Sequence, residues 1–407
     1  MWRNCGFLGT EVGRSEEMKV TLLAGGGGDI YYELGLCSGL ISNGIHVDYI
    51  GSDSGKEMKI FENENVAFYN LRGSQKPNAP IIEKFFRILK YYLRLIHYAA
   101  KTDSRIFHIQ WLNKFVYFDR TLLNLYYKML GKKLIFTAHN VNAGIRDGTD
   151  SFMNRLSLNF MYKLVDHIIV HTEKMKQQLI EGFGIREDKV TVIPYGINDM
   201  VFKSDLTRME ARKKLNLDDG GRIALFFGVI TPYKGLEYLL LALTRQREKD
   251  DSFRLIIAGK IDKHFGKYWK NIQRIVKEHN LGDFIIERIG YIADKDIEVY
   301  FKAADVLILP YRYIFQSGVL FLAFNFGLPV IATDVGSLRE FIIEGKTGFL
   351  CKPEDPDDLA EKINIYYNSD LFRNAEENRE KILGYANEKY SWGKIGEKTH
   401  TLYKSLL

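Results

Sequence analysis

No run of apolar residues in this chain approaches the roughly 18 needed to cross a bilayer, and its first residues carry no apolar core of the kind a secretory signal requires. Trp2 stands where myristoylation needs a glycine, so that anchor is not expected. Cysteine is scarce. Cys5, Cys37 and Cys351 lie far apart with no CxxC pair, so neither a disulfide framework nor a zinc knuckle is indicated, and a reducing, cytoplasmic setting is expected. No disorder-prone block interrupts the chain. A dominant charge is missing too: 57 Lys and Arg against 51 Asp and Glu leave a formal +6, which permits an anionic partner without demanding one. No nucleic-acid partner is expected.

What is present is a globular chain of 407 residues, 46% apolar and 27% charged, long enough for two or three domains. After a polar segment without period, Met18 opens a first strand. Gly25-Gly-Gly-Gly-Asp29 follows, then a helical stretch from Tyr31 to Ser42 and a strand from His46 to Ile50. Glycines between a first strand and a helix let backbone approach a ligand, but GxGxxG is not met, because the third glycine would fall on Ile30 or Tyr31. A tight turn and a loop facing a ligand's phosphate or sugar both remain open, with Gly27 and Gly28 as the contacts in the second case. Further strands are expected at 66–69, 105–109, 133–137, 167–171 and 189–193, then at 222–228, 253–258, 284–289, 306–309 and 329–333. Helices are expected between them, including starts at Gly235, Tyr268, Asp294, Ser317 and Ser337. Such alternation means doubly wound parallel sheets, and more than ten strands favour two of them. The polar stretch from Asn198 to Gly221 marks the junction, and Ser391-Trp392 begins a last helix to Leu407.

The most informative stretch runs from Ala304 to Glu340. Val306 to Leu309 is short, apolar and closed by Pro310, as in a strand buried on both faces. Ser317 and Gly318 open about three helical turns that stop at Gly327, with Pro329 beyond. The amides of Gly318 and Val319, with the Ser317 hydroxyl, suit an anion at a strand's carboxyl end, and an ordinary crossover unit with nothing bound is the alternative. Asp294-Lys-Asp296 has the form of a metal-binding DxD, but at a helix start it is read as an N-cap and dipole partner, so no metal is expected. Between Glu83 and Lys101, Lys84, Arg87, Arg94 and Lys101 form a basic stripe beside Phe85, Leu89, Tyr92 and Ile96. That pattern fits either a helix lying on anionic lipid or a solvated helix over the sheet.

Taken in order, the 25–28 loop, Thr137-Ala-His-Asn140, Val192 to Asn198, Phe227 to Glu237, Ile257-Ala-Gly259, Ala304 to Pro310, Gly327 to Ile331 and Gly336 to Glu340 make the chain resemble a family 4 glycosyltransferase of GT-B fold. The resemblance spans Met18 to the end. It implies two facing Rossmann-like domains, 18–200 on the acceptor side and 201–388 on the donor side, after an extension over 1–17. A helix over 389–407 would cross back to the first domain. It further implies sugar transfer with retention from a nucleotide sugar to a saccharide or lipid-linked saccharide, without cofactor, at the inner membrane face or in the cytoplasm. In this reading Lys234 meets the diphosphate and His139 is the cleft histidine. Gly290, Tyr291 and Ile292 approach the base, Gln316, Ser317, Gly318 and Val319 contact the donor, and His108 and Trp111 stand on the acceptor side. Three places depart from the family pattern: Val229 replaces an arginine, and Ile314 and Leu322 replace two glutamates. A sugar-nucleotide epimerase and a non-catalytic sugar-nucleotide-binding protein stay open as alternatives.

Overall fold

The computed structural model describes residues 18–25, 29–55, 57–76, 78–144, 149–197, 201, 203–218, 220–247 and 252–407. Strands such as His167–Val170 and Val306–Leu309 are buried at every position. Their backbone groups are therefore satisfied by neighbouring strands on both sides, which builds wide parallel sheets.

Among the described residues there are two such sheets. The first contains β1 (Lys19–Leu23), β2 (His46–Gly51), β3 (Val66–Asn70), β4 (Ile106–Ile109), β5 (Lys133–Thr137), β6 (His167–Val170) and β7 (Val190–Val192), in the order β3-β2-β1-β4-β5-β6-β7. The second contains β8 (Arg222–Phe227), β9 (Phe253–Gly259), β10 (Ile285–Ile289), β11 (Val306–Leu309), β12 (Val330–Thr333) and β13 (Gly348–Cys351), in the order β10-β9-β8-β11-β12-β13. Every ladder is parallel. In each sheet the winding reverses between the first strand and its later neighbour, β1 and β4 or β8 and β11, and a crevice opens there at the carboxyl ends. This is the doubly wound α/β, GT-B arrangement expected from the sequence.

Two expectations need correction. The helix placed at Ser337 is a single 3-10 turn, Leu338–Glu340; Gly345 and Gly348, both at positive φ, turn the chain into β13 within a few residues. The helix opened by Ser317 runs from Gly318 to Asn325, eight residues, or about two turns rather than three. β13 was not anticipated, because Gly-Phe-Leu-Cys is too short and too poor in β-branched residues to signal a strand.

The motif aspartate Asp305 is buried between Arg208 and Arg212 and accepts the Ile223 amide at 2.7 Å, which ties the starts of β8 and β11. Its role is structural. The helix Trp392–Leu406 lies on the helix Ile30–Ile41. Their backbones come close enough that a Cβ on Gly396 would stand 2.0 Å from the Gly39 carbonyl oxygen. The halves also meet directly. The Glu340 carboxylate accepts the amides of Glu173 (2.9 Å) and Lys174 (3.2 Å) at the start of the helix Glu173–Phe183, and the Ser337 hydroxyl donates to Thr172 at 2.8 Å.

Candidate active site

Three adjacent strands of the second sheet, β8, β9 and β10, each finish in a glycine at positive φ: Gly228 (103°), Gly259 (149°) and Gly290 (153°). Side chains are thereby withdrawn from the floor of the crevice. A Cβ at Gly228 would lie 2.7 Å from Lys234 Nζ and 3.7 Å from a methyl of Val319. The ammonium and the start of the Gly318–Asn325 helix therefore border the same bare point.

Lys234 ends the 3-10 turn Pro232–Lys234 and is only 6% exposed. Its ammonium has the Phe227 carbonyl at 3.5 Å and the Tyr311 ring centroid at 5.9 Å, and among the described residues no carboxylate pairs with it. Burial pulls its pKa down to about 8. A buried cation without a counter-charge is costly, and an anionic ligand would relieve the cost. Around it, Thr231 Oγ1 and Gln316 Oε1 are buried without a hydrogen-bond partner. Ser317 is buried and caps nothing with its hydroxyl, which lies 3.4 Å from the Tyr311 hydroxyl. Tyr291 is 75% exposed at the rim, and Ile292 packs on the core.

The opposite wall comes from the first sheet. His171 Nδ1 faces the Ile193 carbonyl at 3.0 Å, so it carries the proton and leaves His171 Nε2 as an acceptor. His139 Nδ1, 3.0 Å from that Nε2, must then be the donor. The Nε2 lone pair of His139 is left buried without a partner. Burial, then the neighbouring His171 and His108, hold the His139 pKa well below the usual histidine value, so the ring is neutral at pH 7. Trp111 stacks on it, centroids 4.0 Å apart and planes at 6°, and the indole Nε1 is likewise buried without a partner. One bare acceptor and one bare donor on stacked rings suit sugar hydroxyls. Gly25 packs directly against Trp111.

The structure places Trp111 and His139 beyond the ends of β4 and β5, Lys234, Gln316, Ser317, Gly318 and Val319 beyond those of β8 and β11, and Gly290 just past β10. Gly27 and Gly28 lie outside the described residues. His108 is a correction. It is fully buried, with Nε2 2.7 Å from Thr137 Oγ1 and Nδ1 2.5 Å from the Tyr403 hydroxyl, because its strand position points to the face covered by the last helix. It fixes that helix and cannot meet an acceptor. Asp294 is corrected in part: the N-cap of its helix is Ala293, while Asp294 and Asp296 stand in the first turn as dipole partners, and the Asp294 carboxylate takes a hydrogen bond from Tyr31 of the first half. Leu322 is buried among apolar neighbours. In the helix Ile81–Lys101, Tyr92 is not part of an exposed face; it is buried with its hydroxyl on Asp119 at 2.8 Å.

Sequence reasoning missed Gln110 and Thr231. Gln110, at the end of β4 beside Trp111, is buried with both amide atoms unpartnered. Its only signal was its place at the switch point.

Two parallel-sheet halves closing on such a crevice define the GT-B architecture of sugar-transferring enzymes. The sequence matches Glycosyltransferase Family 4 over residues 26–200 and Glycosyl transferases group 1 over residues 207–388. An uncharacterized glycosyltransferase of Methanocaldococcus jannaschii is 27% identical over 383 residues, 91% of this chain and 92% of that one. Among solved structures, sucrose-phosphate synthase from Thermosynechococcus elongatus superposes with a TM-score of 0.74 at 22% identity, covering 96% of this chain and 99% of that one. HepE of Anabaena in complex with UDP does so with a TM-score of 0.73 at 16% identity, covering 96% and 100%. These two likenesses concern the fold. With both halves matched, the chain belongs to the family 4 type of glycosyltransferases, enzymes that transfer a glycosyl group.

Proposed function

We propose that the protein moves a hexose-type sugar from a nucleoside-diphosphate donor to a hydroxyl of a saccharide or lipid-linked saccharide, with retention, in polysaccharide or glycolipid assembly. The observation that carries this reading is Lys234, a buried ammonium without a counter-charge beside an open helix start. The diphosphate takes that place, and HepE with bound UDP supports a uridine donor.

Chemically, the bond between the anomeric carbon and the diphosphate oxygen breaks as the acceptor oxygen bonds to that carbon from the same face. The acceptor's proton passes to the departing phosphate oxygen. Charge accumulates on phosphate, so fixed donors preorganised there give the largest acceleration. His139 Nε2 accepts from a sugar hydroxyl and fixes its position, and Gln316 Oε1 does the same on the donor side. The exposed apolar residues of the Ile81–Lys101 helix, with Lys90 and Arg94 beside them, support peripheral contact with an anionic membrane face. A thermal-shift screen with UDP-, GDP- and ADP-sugars tests the reading. A nucleoside diphosphate should raise the melting temperature more than its monophosphate, following RT ln(1 + [L]/Kd); unchanged melting at saturation overturns it.

A second reading, a non-catalytic sugar-nucleotide binder, is favoured by Val229 and by the buried Leu322. Binding without release of nucleoside diphosphate in the presence of acceptor would establish it, and interconversion of the donor sugar would mark an epimerase.

A further inference from the structure

A second cavity, of about 360 Å³, opens on the first half beyond the ends of β3 and β4. Arg72 and Lys76 reach it from the loop after β3, Lys84 and Arg87 from the helix Ile81–Lys101, and Lys114 from the turn after β4. No carboxylate lines it, and none of the five cations is in an ion pair among the described residues. Arg72 Nε and Arg87 Nη1 are buried with no acceptor.

The cations are held in place. The Arg72 guanidinium lies over the Tyr91 ring, 4.7 Å from its centroid, and bonds to the Asn113 side chain, which also accepts the Tyr91 hydroxyl at 2.8 Å. Asp119, the carboxylate behind this wall, is occupied by the Asn113 amide (2.5 Å) and the Tyr92 hydroxyl (2.8 Å). Like charges gathered around a void repel, and guanidinium forks match phosphate oxygens, so a bound phosphate would remove the repulsion and fill the bare donors. Asn113 is two residues from Trp111, at most about 7 Å along the chain, and Trp111 stacks on His139. The cavity therefore adjoins the segment that carries Trp111.

We propose that this cavity seats a phosphate or diphosphate group carried by the acceptor. The proposal rests on the reading of the first half as the acceptor side, and it narrows the acceptor to a phosphorylated one. The same helix that supplies Lys84 and Arg87 turns Phe85 (54% exposed), Phe86 (62%) and Leu89 (44%) outward, so a lipid borne on the phosphate would have an apolar surface to lie against.

Calorimetric titration of the full chain with inorganic pyrophosphate, after saturation with the nucleoside diphosphate selected above, tests the seat. One pyrophosphate should bind per chain beside the nucleotide. The double variant Arg87→Gln, Lys114→Gln should weaken it at least about tenfold while keeping the thermal stabilisation by nucleoside diphosphate, which also shows that the variant is folded. Lys234→Ala, titrated without nucleotide, should lose the nucleotide site and keep this one. No pyrophosphate binding beside the nucleotide, or undiminished binding by the double variant, overturns the proposal and leaves the donor site untouched. Displacement by phosphatidylglycerol vesicles but not by phosphatidylcholine vesicles identifies a lipid-borne phosphate. Pyrophosphate retained beside both identifies a water-soluble phosphorylated acceptor.

Discussion

The two sheets share one winding but finish their strands differently. In the second half β8, β9 and β10 end in glycines, leaving one buried lysine and a helix start to face the ligand. In the first half β1 and β2 also finish at glycines, Gly25 and Gly51, but the neighbouring strand ends carry side chains, Gln110 and Trp111 after β4 and His139 after β5, with Asn113 and five cations just beyond. On the proposed reading, a bare floor with one fixed charge meets the diphosphate common to nucleoside-diphosphate sugars, and a wall of hydrogen-bonding rings with a basic cavity meets what differs between acceptors. Variation in the first half should therefore change what is glycosylated, and damage to the second should abolish transfer from any donor.

Removal of the donor-side charge is the hardest test of that contrast. Lys234→Ala should lower kcat/KM by roughly two to three orders of magnitude, the scale for losing a preorganised charge-stabilising donor. The same charge burdens the unliganded fold. Burial lowers its pKa from 10.5 to about 8, which corresponds to roughly 3 kcal/mol at most. Both folded and unfolded states are charged below pH 8, so the penalty is complete there, and it fades as pH rises from 8 towards 10.5. Lys234→Met should accordingly raise the melting temperature of the free protein at pH 7 while removing its stabilisation by nucleoside diphosphate. Affinity of the parent for that ligand should decline above pH 8, where the free ammonium deprotonates, and the variant should show no such decline from this group. Titrations at pH 7 and 9 decide; equal declines in both would remove Lys234 from the phosphate.

On the other wall the expected loss is smaller. His139→Ala removes one hydrogen bond to a sugar hydroxyl and should cost roughly 1–3 kcal/mol in kcat/KM, with nucleoside-diphosphate affinity held within about twofold. An equal loss of nucleotide affinity would mean that the two walls are not separate in function. Gln316→Ala sharpens the boundary from the donor side. It should weaken the intact sugar nucleotide by about 1–3 kcal/mol and leave the free diphosphate unchanged; equal weakening of both ligands would instead place Gln316 at the phosphates.

The donor half was the more legible in sequence, for a physical reason. Glycines at strand ends, a lysine in a Pro-Tyr-Lys-Gly turn and a Ser-Gly helix start are local patterns, set within a few residues and visible as such. The acceptor half depends on side-chain direction and on contacts between remote segments. His108 lies inside β4 and His139 just past β5 of one sheet, yet one points under the last helix and the other stacks on Trp111. Register within β4 decides this, and no local pattern marked it. The basic cavity joins residues 72, 87 and 114, which no spacing rule groups. Glu340 was visible only as the end of a motif, because its partners are backbone amides more than 160 residues away.

That contact also decides whether the two walls act together, and it supplies the smallest expected effect. Glu340 places a carboxylate at the start of the Glu173–Phe183 helix, where two amides and the positive end of the helix dipole favour it. Glu340→Gln keeps an oxygen acceptor but removes the charge, which should cost about 0.3–1 kcal/mol. The Ser337–Thr172 bond and the Lys174 ammonium on the Gly336 carbonyl (3.1 Å) remain, so each half should keep its own fold while the contact between them loosens. If the contact holds the crevice closed over substrates, KM for donor should rise roughly two- to fivefold, while Kd for free nucleoside diphosphate, which needs only the second half, should stay the same. The variant's radius of gyration in small-angle scattering should increase without ligand and return to the parent value with saturating sugar nucleotide. A KM unchanged within error, with no difference in scattering, would show that Glu340 merely caps a helix and that closure is governed by the other contacts between the halves, Tyr31 on Asp294 among them.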